Sequence, residues 1–223
     1  MFPLKDTQPS YSKPLVTIGL IAANILIFLY EFSLDPYSLN HFIVHYGLIP
    51  VRYHFYNIIT SMFIHGGWLH VLGNMWFLWI FGDNVEDILG HWKYLAFYIL
   101  CGIVAAAFVQ IASNLGSPIP TVGASGAIAG VMGGYIVKFP QSRILTLVFI
   151  FFFITTFEVP AVIMLAYWFF LQVFSGVGSI GYSNLSQGGV AWFAHVGGFL
   201  AGMGLIKAMG TRRRFSRRRD IYW

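Results

Sequence analysis

The sequence predicts an all-α membrane protein: a single bundle of six spanning helices with the N- and C-termini on the cytoplasmic side. Three observations predict it. The chain is 57% hydrophobic and only 9% charged, whereas soluble domains carry about a quarter charged residues. Its apolar residues gather in six segments approaching the length a bilayer requires, about 17–25 residues. Its Lys and Arg residues fall almost entirely in alternate connections, as cytoplasmic loops do.

The six segments are Pro14–Phe32, Trp68–Phe81 with its flanks, Tyr94–Ile111, Ser125–Val137 with its flanks, Pro160–Phe174 and Ala191–Met209. Residues 1–13 read as a cytoplasmic tail, 14–209 as the membrane domain, and 210–223 as a basic cytoplasmic tail. The first thirteen residues lack the basic, apolar and small-residue order of a signal peptide, so the first apolar run reads as a retained span. The lack of an organelle-targeting segment points to a prokaryotic plasma membrane.

Charge fixes the count. With six spans, Lys5, Lys13, Lys93, Lys138, Arg143, Lys207 and the arginines Arg212, Arg213, Arg214, Arg217, Arg218 and Arg219 face the cytoplasm, and only Arg52 falls outside. Ile144–Phe157 is intensely apolar but short, and runs of its length are often interfacial or re-entrant. As a seventh span it would carry the arginine-rich tail outside. That tail directly follows a span, which favours contact with anionic lipid over nucleic acid. Glu31–Gly67 then lies outside and is expected to fold back onto the bilayer surface. The only cysteine, Cys101, sits in an apolar run and reads as a core residue.

Polar groups inside a membrane are costly and tend to be functional. The short list of such residues is His70, Asn74, Ser125 and His195, with His65 just ahead of the second span. Ser125 lies in Gly123-Ala124-Ser125-Gly126 at the start of a span, where unpaired backbone N–H groups and the positive end of the helix dipole can hold an oxyanion. His195 lies in Ala194-His195-Val196-Gly197-Gly198. In the six-span count both spans enter from outside, so the two residues fall at similar depth. Gly126, Gly130 and Gly134 recur every four residues, as do Ala194, Gly198 and Gly202; small residues at that spacing let helices pack closely. A serine hydroxyl needs a base to become a nucleophile, and His195 can serve as that base. With every carboxylate expected at the inner face or at the end of the first span, a Ser–His dyad is expected. His70 and Asn74, at i and i+4, share a helix face at the depth of Ser125 and fit oxyanion donors beside the Ser125 N–H.

Together, His65-Gly66-Gly67-Trp68-Leu69-His70-Val71-Leu72-Gly73-Asn74-Met75, Gly123-Ala124-Ser125-Gly126 and Ala194-His195-Val196-Gly197-Gly198-Phe199-Leu200-Ala201-Gly202 resemble, in the same order, the motifs of the rhomboid family of intramembrane serine proteases. Phe81-Gly82-Asp83-Asn84-Val85-Glu86-Asp87 is similar to its prokaryotic members. The resemblance implies a six-helix core with Ser125 as nucleophile and His195 as general base. It implies an oxyanion hole of His70, Asn74 and the Ser125 N–H. It implies cleavage of transmembrane protein substrates near the outer face without a cofactor or metal. It also implies that the fifth span around Trp168 and Phe169, with the loop Ser175–Val190, acts as gate and cap. The sequence departs twice from the pattern: Ala129 stands where some members stack an aromatic ring on the histidine, and Glu31–Gly67 holds no Trp-Arg pair.

Other chemistries find less support. The His-Glu-x-x-His arrangement of a zinc protease and the paired carboxylates of an aspartyl protease are both missing from the spans. A transporter would string polar residues across the full depth, whereas these cluster near one face. The alternative is a catalytically inactive relative that binds transmembrane segments; such a chain would be expected to lack the Ser or the His.

Overall fold

In a computed structural model, residues 2–52, 54–112, 118–150, 153–181 and 189–211 are described. Among them are eight helices and three strands. Six long helices are α1 (Leu15–Ser33), α4 (Trp68–Leu89), α5 (His91–Ala112), α6 (Ser125–Lys138), α7 (Ala161–Gly181) and α8 (Gly189–Ala208), each overlapping one predicted apolar segment. Between α1 and α4 lie α2 (Pro36–Tyr46), α3 (Phe55–Thr60) and a 3₁₀ turn at Ser61–Phe63. Among the described residues, two helical stretches, Leu15–Ser33 and His91–Val109, are long and apolar enough to cross a membrane by length and composition alone.

The long helices alternate in direction. Thr17 at the start of α1 meets Glu86 near the end of α4, while Phe28 and Phe32 meet Trp68 at its start. Gly90 (φ 77°) ends α4 in the left-handed region, which glycine adopts without steric cost, and turns the chain into α5. Phe97, Cys101 and Ala105 of α5 lie against Gly134, Gly130 and Gly126 of α6, in antiparallel order. Trp168 and Phe169 of α7 pack on Phe199 of α8, and Gln172 reaches back to His195, again antiparallel.

The packing inverts the pattern of a soluble helix. The buried face of α1 carries Thr17, Asn24 and Glu31 beside Leu20 and Phe28, while Leu15, Ile18, Ile25, Leu26, Leu29 and Phe32 point outward. Polar groups turn inward where the surroundings cannot hydrogen-bond. Buried Glu86 accepts from the backbone N–H of Val16 and Thr17 at 2.9 and 2.8 Å and from Thr17 Oγ1 at 2.7 Å. An anion at a helix N-terminus satisfies unpaired donors and meets the positive end of the dipole.

The purely helical expectation needs one correction. Ile144–Phe157 falls in two strands, β2 (Arg143–Ile150) and β3 (Phe153–Pro160), joined to β1 (Phe2–Asp6) in an antiparallel sheet of order β1-β2-β3. A continuous run rich in β-branched and aromatic residues suits a central strand. The N-terminal segment is strapped along α4: Ser12 Oγ donates to Asp87, Asn84 Nδ2 to the Gln8 carbonyl, and Trp76 Nε1 to the Pro3 carbonyl at 2.6 Å. The sheet thus lies beside the bundle at the end where α1 begins and α4 finishes. α7 continues to Gly181, past the Ser175 start expected for a loop; residues 182–188 and the arginine-rich residues 212–219 lie outside the described residues.

Candidate active site

The seam between α6 and α8 sets the site. A Cβ added to Gly198 would collide with the Gly126 carbonyl, one at Gly202 with the Gly130 carbonyl, and one at Gly133 with the Phe199 carbonyl. Gly126–Gly198 and Gly130–Gly202 keep a constant register, so the two helices run parallel, backbone against backbone. Only glycine permits that approach.

Ser125 is the first residue of α6 and His195 lies in the second turn of α8. Their parallel alignment brings Ser125 Oγ to 2.7 Å from His195 Nε2. On the other side of the ring, His195 Nδ1 lies 2.7 Å from Gln172 Oε1 on α7. Trp168 and Trp192 flank the imidazole, with ring centroids at 5.7 and 6.2 Å. The ring contact that Ala129 cannot supply thus comes from two tryptophans on α7 and α8.

The loop before Ser125 is fixed from outside the bundle. Gly123 N–H donates to the Ser61 carbonyl at 2.8 Å, and Thr121 forms a bridge with Leu48. Gly123 has φ 121°, and a Cβ there would lie 2.7 Å from the His70 ring and 3.6 Å from Asn74 Nδ2. A glycine is required at this position both for its backbone angle and for the two side chains beside it.

His70 and Asn74 both reach this loop from α4. Gly66 N–H points at His70 Nδ1 at 3.4 Å. A ring nitrogen that accepts carries no proton, so the His70 proton sits on Nε2, on the side of Gly123. Asn74 Nδ2 lies 2.9 Å from His65 Nε2. Buried Glu31 accepts from the His65 backbone N–H at 3.2–3.3 Å, so the end of α1 holds the loop that carries His65. A cavity of about 40 Å³ adjoins Ser125, lined by Met62, Gly102, Ala105, Gly126 and Ala194 among others. That is room for water or a small group.

The four expected residues therefore converge: Ser125 and His195 are in direct contact, and His70 and Asn74 lie beside the loop entering Ser125. A model of the rhomboid domain matches residues 52–212, a stretch holding all four. The chain belongs to the rhomboid family.

Similar rhomboids come from mitochondria and from a bacterium. The human mitochondrial presenilin-associated rhomboid-like protein is 32% identical over 131 residues, covering 56% of this chain and 33% of that protein. The rhomboid protease GluP of Bacillus subtilis is 34% identical over 125 residues, covering 54% of this chain and 24% of GluP. The mitochondrial RHOMBOID-like protein 6 of Arabidopsis thaliana is 29% identical over 163 residues, covering 69% and 44%. The chain thus spans a quarter to less than half of these relatives. Rhomboids are membrane-integral, and the family includes proteases; the expected prokaryotic plasma membrane finds no support in relatives named as mitochondrial.

Sequence reasoning missed Gln172. It is a polar residue in a span and met the criterion that picked out His70 and Asn74. Gln172 is 5% exposed, and its amide faces the one ring nitrogen of His195 that Ser125 does not use.

Proposed function

We propose that this rhomboid is an intramembrane serine endopeptidase that hydrolyses peptide bonds in or near the transmembrane segments of membrane proteins. The 2.7 Å approach of Ser125 Oγ to His195 Nε2 carries the reading. His195 takes the Ser125 proton as the hydroxyl attacks the scissile carbonyl. The oxyanion that forms lies at the N-terminus of α6, where the Ser125 N–H, His70 Nε2–H and the Asn74 amide are its donors; each such donor is worth roughly 10²–10³ in kcat. His195 then gives its proton to the leaving amine. Water beside Ser125, deprotonated by the same imidazole, releases the acyl group. None of these steps calls for a cofactor or metal.

The membrane arrangement we propose has the six long helices as spans and the described N-terminus inside. The alternation of the helices supports it. So does the distribution of charge: Lys5, Lys13, Lys93, Lys138, Arg143 and Lys207 lie toward the end opposite the site, and Arg52 toward the site. The site then opens toward the outer leaflet, and membrane proteins with a transmembrane segment crossing there are its substrate class.

The test compares wild type, Ser125→Ala and His195→Ala, purified and reconstituted in liposomes with a transmembrane substrate. Cleavage by the wild type alone is expected, with loss of several orders of magnitude in each variant. A fluorophosphonate should label Ser125 in the wild type. Equal cleavage by all three proteins refutes the dyad. A wild type that binds the substrate without cutting it would make the chain the inactive, segment-binding relative.

A further inference from the structure

The role of Gln172 follows from which of its atoms faces what. Gln172 Nε2 lies 3.3 Å from the Trp168 carbonyl, one turn earlier on α7. A carbonyl only accepts, so the NH₂ end of the amide belongs there. That leaves Oε1, which also only accepts, facing His195 Nδ1 at 2.7 Å. His195 Nδ1 must therefore carry the ring proton. His195 Nε2 is then bare and points its lone pair at Ser125 Oγ, 2.7 Å away. A base for Ser125 needs this tautomer. A histidine side chain in water prefers the other one, with the proton on Nε2.

We infer that Gln172 is the positioning residue of this site: from α7 it fixes the tautomer and orientation of His195, the part an orienting carboxylate plays in a serine triad. The inference rests on the Ser–His reading above. A neutral amide fits a membrane interior, where a carboxylate would be costly to keep ionised. Among the described residues, the side chains around the His195 ring are Ser125, Gln172, Trp168 and Trp192, none of them charged; the other titratable group acting on it is His70.

The location has a consequence. Nucleophile and base sit on α6 and α8, but the group that orients the base sits on α7. A shift of α7 away from α8 by more than about 1 Å breaks a 2.7 Å hydrogen bond. The position of α7 therefore governs whether His195 is a competent base.

The experiment uses the full chain in liposomes with a transmembrane substrate. Gln172→Met keeps the length of the side chain and removes the acceptor. Its kcat should fall about 10- to 100-fold, with KM within about 2-fold. Fluorophosphonate labelling of Ser125 should slow by the same factor. Gln172→Glu restores an acceptor at the same place and should recover most of the rate. The imidazolium, once formed, keeps this carboxylate ionised and is stabilised by it in turn, so the acid limb of the kcat/KM profile should move to higher pH by about 1 unit. A purely structural Gln172 would lower the unfolding temperature and leave kcat and the pH limb unchanged. That outcome, or wild-type kcat and labelling in Gln172→Met, overturns the inference; so does a Gln172→Glu variant that neither recovers rate nor shifts the limb. If Gln172→Met does not fold, Gln172→Glu decides alone. Ser125→Ala and His195→Ala run alongside: if they cleave like the wild type, the dyad reading falls, whereas inactive controls with an indifferent Gln172 sink this inference only.

Discussion

Two of the interfaces that α8 makes, those with α6 and α7, are built in opposite ways. Toward α6 it presents glycines, and main chain lies on main chain: Gly198 on the Gly126 carbonyl, Gly202 on the Gly130 carbonyl. Toward α7 it presents rings, with Phe199 stacked on Phe169 at 4.7 Å and close to Trp168, plus the hydrogen bond from His195 to Gln172. A backbone cannot move aside when a methyl is added, whereas side chains repack. The first interface fixes the Ser125–His195 distance. The second holds α7, whose other face exposes Val162, Ile163, Phe170 and Phe174, through contacts that can be remade.

Substitutions can break this contrast, and the glycine seam gives the largest effect. Gly198→Ala forces a methyl into the Gly126 carbonyl and should cost about 3 kcal/mol or more. Activity should vanish even in the fraction that folds, because the helices separate at the level of the dyad. Gly204→Ala, on the same helix with nothing within 4 Å of the new methyl, should unfold with the wild type. Thermal unfolding in detergent checks both, and similar stability losses for the two would mean that the seam is not special.

Phe169→Ala probes the ring interface. Phe169 is only half-buried, so its loss should cost about 1–2 kcal/mol, less than a fully buried Phe. Fluorophosphonate labelling of Ser125 should survive, because α6 and α8 stay in place and the Gln172–His195 hydrogen bond still holds α7 at the dyad. A stability loss as large as that of Gly198→Ala would erase the distinction between the interfaces.

The smallest effect lies at the opposite end of the bundle. Tyr135 of α6 donates to Asp6 of β1 at 2.5 Å and is within 2.7 Å of Ser142 Oγ. Burial pushes the Asp6 carboxyl from 3.8 up to about 6, although the Tyr135 hydrogen bond pulls it down. A raised acid is held protonated by the folded state, so folding takes up a proton between about pH 4 and 6. Stability from this group is complete below about 4 and is lost as pH rises through about 6. The difference in unfolding temperature between wild type and Asp6→Asn should therefore change across that window, to the disadvantage of wild type at pH 7.5. A difference independent of pH would mean that Asp6 carries no such load.

Much of this was legible in the residues. The apolar runs located α1 and α4 through α8, because an element that must face lipid is written as a long apolar stretch. The four-residue glycine spacing pointed to the α6–α8 seam, because only glycines allow that approach. The β2–β3 hairpin was not legible: a fourteen-residue apolar run reads equally as strand pair or interfacial helix. Residues 2–6 become a strand only because β2, some 140 positions later, offers an edge. Gln172 was visible as a polar residue in a span, but a segment apolar on every side carries no periodicity to say which way that residue points.

The sequence by itself determined which groups could react, because the chemistry of a serine, two histidines and an asparagine belongs to the side chains and survives any fold. It also determined which helices could touch, because the missing side chains of Gly126, Gly130, Gly198 and Gly202 are local facts. Only the tertiary structure decided the rotation of α7, and with it that Gln172 meets the second nitrogen of His195. Rotation about a helix axis is set by what packs on every side at once, and no single segment contains that information.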